Sequence, residues 1–146
     1  TFKEIAPQIL NDADGEVGYS LRFFPETIEL GQKIVEALRA EGIGASIRGK
    51  NAPPDWHVYS DMFPVTLRTG PTSVNCPYEC PIYLGKGGRA NYNRGDCPVA
   101  DDLRERVVSI SLNQWYTAQD CRNIALGINK VLGAYCTPDP SARPWR

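Results

Sequence analysis

The chain has 146 residues, 42% of them hydrophobic and 23% charged, with a formal net charge of -1. That length buries roughly 70% of the surface exposed on unfolding, which allows one modest core. Near-neutral charge argues against nucleic-acid binding, which wants clustered Lys and Arg, and no apolar run approaches the ~20 residues of a membrane-spanning helix.

Residues 18 to 49 read as strand, helix, strand. In "GYSLRFFP", Tyr19, Leu21 and Phe23 alternate with Ser20 and Arg22, the period-2 signal of a half-buried strand, and Pro25 ends it. In "TIELGQKIVEALRAEG", Leu30, Ile34, Val35 and Leu38 share one helical face. Glu26 and Glu29 lie near the positive end of that helix, and Gly42 stands where a left-handed cap belongs. Ile43, Ala45 and Ile47 alternate again.

Residues 50 to 98 change character. Pro53, Pro54, Pro64, Pro71, Pro77, Pro81 and Pro98 punctuate them, with a glycine cluster at "GKGG". Only Trp56 to Phe63 offers a short helix or strand. An irregular insert of this length points to a functional excursion, or to a surface ordered by a partner. The Gly-Asp-Cys-Pro turn that ends it, with Asp96 as a turn cap, brings the chain back.

"ADDLRERVVSISLN" then predicts a short charged helix or turn, followed by Val108, Ile110 and Leu112 alternating with Ser109 and Ser111. Thr117 and Asp120 form a reciprocal helix-start box. Behind it Cys121, Ile124, Ala125, Ile128, Val131 and Leu132 keep one stripe. The expected fold is α+β: a small, mostly antiparallel sheet with helices packed on one face and a long irregular insert at about residues 50–98. Residues 1–136 form this domain, and the Pro-rich residues 137–146 are expected to be a loose tail.

Five cysteines, an odd number, with no secretory signal predict a reduced, cytoplasmic protein. Cys76 and Cys80 in "CPYEC", with Cys97 and His57, could make up a zinc set, although structural zinc sites usually carry two tight ligand pairs. Cys121 reads as a small core residue. A start at Thr1 without Met suggests a piece of a longer protein.

Two stretches carry a resemblance that covers about residues 16 to 134. "GYSLRFF…ELGQKIVEALRAEGIGA" and "YNRGDCPVADDLRERVVSISLNQWYTAQDCRNIALGINKVL" resemble the two ends of the C-terminal small domain of the DegT/DnrJ/EryC1/StrS family, the fold-type I sugar aminotransferases. The resemblance implies a transferase that uses pyridoxal phosphate to aminate a keto sugar, commonly a nucleotide-linked one. It also implies that the Schiff-base lysine lies in a large N-terminal domain, so that Lys3, Lys33, Lys50, Lys86 and Lys130 have no such role. The chain alone is then inactive and has no catalytic residues. Its partners are a missing large domain or a separate partner chain, and the complete enzyme is a homodimer. "CPYECPIYLGKGG" departs from the family pattern and leaves the substrate open.

On this reading the domain supplies the outer wall of a substrate pocket. "DWHVYSDMFP" resembles a family segment with a His and an aromatic near the substrate, which implies sugar contacts from His57 and Tyr59. Lys86, Arg89 and Arg94 around Tyr92 offer a cationic patch for an anionic substrate, with Arg89 and Tyr92 as its contacts. Two other readings stand beside this one. A small βαβ…βα skeleton also serves free-standing ferredoxin-like ligand-binding or interaction modules, and the cysteines allow a zinc-bound interaction domain.

Overall fold

A computed structural model describes residues 1–142. The elements in chain order are β1 (Ile5–Pro7), β2 (Ser20–Pro25), α1 (Ile28–Ala40), β3 (Ala45–Ile47), a 3₁₀ turn (Tyr59–Asp61), α2 (Phe63–Thr66), α3 (Pro81–Gly85), α4 (Pro98–Arg106), β4 (Val108–Ser111) and α5 (Ala118–Tyr135). The strands form one antiparallel sheet in the order β1-β2-β4-β3. Because β2 and β3 both pair with β4, they run parallel to each other with β4 between them, a split β-α-β unit.

The alternation along the strands fixes the register. Leu21 pairs with Ile110 and Ile110 with Ala45; Phe23 pairs with Val108 and Val108 with Ile47. These rows present one apolar face, and α1 and α5 cover it with Ile34, Val35 and Leu38 and with Ile128, Val131 and Leu132. Phe23, Ile34, Leu38 and Val108 lose all solvent contact, which stabilises the fold by roughly 1.5–3 kcal/mol per large side chain.

The ends of α1 and α5 follow from local chemistry. Thr27 accepts the Leu30 amide at the start of α1. At its end Gly42 takes φ 80°, and the Ile43 and Gly42 amides return to the Leu38 and Arg39 carbonyls. That pair of bonds stops a helix where a left-handed residue is available. At α5 the Thr117 hydroxyl accepts the Asp120 amide at 3.2 Å, and the Asp120 carboxylate accepts the Thr117 amide at 2.8 Å.

The structure departs from expectation at several points. Cys121 is exposed, so the buried part of α5 begins only near Ile128; the buried cysteine is Cys136. The region from 50 to 98 contains α2 and α3, each starting beside a proline that suits a first helical turn. β1 was not foreseen, since only Ile5 of its three residues is buried. The expected loose tail is paired at its start: Thr137 and Asp139 exchange backbone bonds with Lys3 and Thr1, and the Glu4 carboxylate accepts the Thr137 amide at 2.8 Å. Residues 143–146 of that tail lie outside the described residues.

The chain divides into two compact units, Thr1–Asn51 with the chain from Asp102 onward, and Ala52–Asp101. The first holds the sheet and the core. No residue of the second is buried, and its large apolar side chains include Trp56, Leu67 and Ile82 at 58, 72 and 72% exposure.

Candidate functional site

Without a core, the unit Ala52–Asp101 is ordered by turns and by side chains bonded to backbone. Tyr59, the first residue of the 3₁₀ turn, is its main tie. The phenol donates to Asp101 Oδ2 at 2.7 Å and accepts the Gly95 and Cys97 amides at 3.0 and 3.3 Å. The Gly95 amide also reaches Asp101 Oδ2 at 3.1 Å. Gly95 sits at φ 98°, a conformation that strains any residue with a Cβ, and Asp96 Oδ2 accepts the Asn93 amide at 2.7 Å. The Gly-Asp-Cys-Pro turn is thus built by its own glycine and aspartate and clamped by one tyrosine. Partial burial, then the hydrogen bond to the Asp101 carboxylate, push the Tyr59 phenol above the ordinary tyrosine range. It is a fixed donor near neutrality and not an acid or base.

His57 lies elsewhere in the same unit, with its imidazole 95% exposed. Its Nδ1 stands 2.9 Å from Asp55 Oδ1, and its own amide donates to the same oxygen at 3.0 Å. Since an ionised carboxylate only accepts, Nδ1 carries the proton, and in the neutral ring Nε2 is left as an acceptor. Asp55 is held in turn by its amide donating to Asp61 Oδ2 at 2.9 Å. Beside His57, Trp56 packs edge-on against Phe63 with centroids 4.5 Å apart, and both rings stay about half exposed.

A cavity of about 330 Å³ opens among Arg68, Tyr78, Glu79, Leu84, Gly88, Arg89, Ala90 and Asn91. Of the three cations expected around Tyr92, Arg89 alone lines it, joined by Arg68. Tyr92 meets the lining residue Tyr78 edge-on at 6.3 Å. The Tyr83 hydroxyl donates to the Arg89 carbonyl at 3.1 Å, and the Gly88 amide donates to the Tyr83 carbonyl at 2.9 Å, which pins one wall. Arg89 and Tyr92 therefore adjoin one cavity, whereas His57 and Tyr59 are not among its lining residues. Sequence reasoning missed Arg68, Tyr78 and Asn91. The usable signal was Asn75, whose amide group bonds the Gly70 amide and the Arg68 carbonyl and so folds the segment back.

The zinc set is not assembled: among the described residues, no group of three or more His, Cys, Asp or Glu side chains is placed to hold a metal ion. The five lysines do not fit a pyridoxal Schiff base either. All are exposed, whereas such a lysine is activated by desolvation or a neighbouring cation. Lys130 is tied to the Glu41 carboxylate at 2.8 Å, and Lys3 lines an open cleft with Glu4, Glu26, Asp102 and Arg106. Comparison with protein-family models and with curated proteins gave no match.

Proposed function

We propose that the chain is the small domain of a pyridoxal-phosphate-dependent aminotransferase acting on a keto sugar, where it forms the substrate-facing wall and not the cofactor site. The cofactor would be held by a large domain or a partner chain, and no step is assigned to this chain through it. The observation that carries the reading is the contrast between the two units. A sheet covered by two helices supplies a stable base, while Ala52–Asp101 buries no residue and presents its polar and aromatic groups outward. Arg68 and Arg89 suit the phosphate of a nucleotide-linked sugar, the His57 Nε2 suits a sugar hydroxyl, and the Trp56–Phe63 pair offers an apolar ring face. Tyr59 acts on this reading by holding the turn at Gly95, not by touching substrate.

The test is borohydride reduction of the chain mixed with pyridoxal phosphate, alone and together with a lysine-bearing large domain. The expected result is scattered substoichiometric labelling alone and one stoichiometric adduct on the large domain when both are present. A single stoichiometric adduct on any of the five lysines of this chain would refute the proposal. So would an assembled enzyme in which Arg89→Ala leaves the KM for a nucleotide-linked keto sugar unchanged.

A further inference from the structure

A cavity of about 520 Å³ lies wholly within the sheet-bearing unit, between the end of α1 and the first half of α5. Its floor is apolar: Ile43 is buried, Ile124 is half-buried, and a Cβ on Gly127 would meet Ile43 Cδ1 at 2.6 Å. The ion pair of Lys130 with Glu41 contributes a second part of the lining, with the ammonium 2.8 and 2.9 Å from the two carboxylate oxygens. Tyr116 lines the cavity as well, and with its neighbour Trp115 it stays exposed, at 43 and 78%. Asn113 fixes the backbone of both aromatics: its side chain accepts the Trp115 amide at 2.9 Å and its carbonyl accepts the Tyr116 amide at 3.0 Å. Asp120 and Asn123 also line the cavity and, three apart on α5, are neighbours on its surface. Asp120 Oδ2 accepts the Thr117 amide and hydroxyl, and Asn123 Oδ1 accepts the Gln119 side-chain amide at 2.9 Å. Among the described residues nothing else bonds Asp120 Oδ1 or the Asn123 NH2 group, so an acceptor and a donor stand on adjacent side chains.

We propose that this cavity binds a neutral pyranose. Its volume falls within the range of small-ligand clefts, ~300–1,000 Å³. The class of ligand follows from the charge balance and from the donors and acceptors. Lys130 and Glu41 neutralise each other, and the positive start of α5 offsets the Asp120 carboxylate. An anionic ligand would meet Glu41 and Asp120, and a cationic one would meet Lys130, so a ligand without charge is favoured. A pyranose has a C–H face that packs on an aromatic ring and an edge of hydroxyls that each donate and accept. One hydroxyl of a vicinal pair donates to Asp120 Oδ1 while the other accepts from the Asn123 NH2. The Tyr116 ring takes the C–H face, and Ile43 and Ile124 keep water from beneath it. These contacts are independent of those proposed for Arg68, Arg89 and His57, which belong to the unit Ala52–Asp101.

The experiment titrates the isotope-labelled full chain with the methyl glycosides of glucose, mannose and galactose and follows the backbone amide resonances. The expected result is saturable shifts at Gly42, Ile43, Tyr116, Asn123 and Gly127 with at least one of the three. Asn123→Ala removes one neutral donor and should weaken that binding about fivefold, and Tyr116→Ala should weaken it about tenfold. Both positions are exposed, and unchanged core resonances report that each variant is folded. The proposal is overturned if no glycoside gives saturable shifts at these amides, or if both variants bind as tightly as the parent. It also fails if tetramethylammonium or acetate saturates the same amides at lower concentration than every glycoside. Shifts confined to Ala52–Asp101 would overturn it while leaving the substrate contacts proposed above intact. The parent titration is readable even where a variant misfolds.

Discussion

Tyr59→Phe removes one oxygen and three contacts. Asp101 Oδ2 loses a 2.7 Å donor, and the Gly95 and Cys97 amides lose an acceptor. The Gly95 amide keeps Asp101 Oδ2 at 3.1 Å, so Cys97 bears most of the loss. A hydrogen bond to a charged group contributes about 1.5–3 kcal/mol when kept from water, but Gly95 and Cys97 are exposed and can turn to solvent. The local cost is then about 1–2 kcal/mol, a factor of roughly 5–30 in the closed-to-open ratio of the turn. Native-state amide exchange reads that factor directly. Protection at Cys97 should fall by about that amount and at Gly95 by less, with no change at the Leu38 and Leu132 amides of the core. A titration of tyrosinate absorbance should also lose the group that ionises above the ordinary range. Unchanged exchange at both amides, or an equal loss at Leu38 and Leu132, would refute the role given to this hydroxyl.

Two further predictions concern the sheet-bearing unit. Thr117→Ala should cost about 1 kcal/mol in urea unfolding, since it removes the hydroxyl that accepts the Asp120 amide. The Thr117 hydroxyl and amide hold the Asp120 carboxyl below its usual range. The contribution of the box is therefore present above the unfolded carboxyl pKa and lost as pH falls through the folded one, so the penalty of the variant should shrink in acid. Cys136 runs the other way: its thiol is raised from 9.0 to about 11, so its contribution is full below pH 9 and lost as pH rises through 11. That loss amounts to about 2–3 kcal/mol, and the stability curve of Cys136→Ala should be flatter by this amount between those limits.

The sheet and its two covering helices were legible because burial imposes a period. Leu21, Phe23, Val108 and Ile110 repeat every second residue, and Ile34, Val35 and Leu38 follow helical spacing, since each side chain has to face the same core. The Thr117–Asp120 box and the Gly42 cap were legible for a different reason: both are short-range devices that need no tertiary context. Cys121 was misread because helical spacing gives a direction around α5 but not where along α5 the covering elements end. β1 escaped because three residues with one buried side chain carry no period.

The insert was legible only as an insert, and the physics of its order explains why. A buried unit announces itself by repeated apolar positions, but Ala52–Asp101 buries no residue, so nothing forces such a repeat. What holds it is a set of single polar ties, from Tyr59 to the Gly95 turn, from Asn75 to Gly70 and Arg68, and from Asp55 to Asp61 and His57. Each contributes on the order of 1 kcal/mol, and none has a sequence period. Such a unit gains little from its own interior and keeps Trp56, Leu67 and Ile82 available for another surface. Burial of those side chains against a partner domain would add apolar stabilisation that the unit lacks alone, at roughly 25 cal/mol per Å² removed from water. The same openness leaves Arg68 and Arg89 within reach of small anionic molecules, which is why the proposed substrate contacts fall in the segment that sequence periodicity describes least.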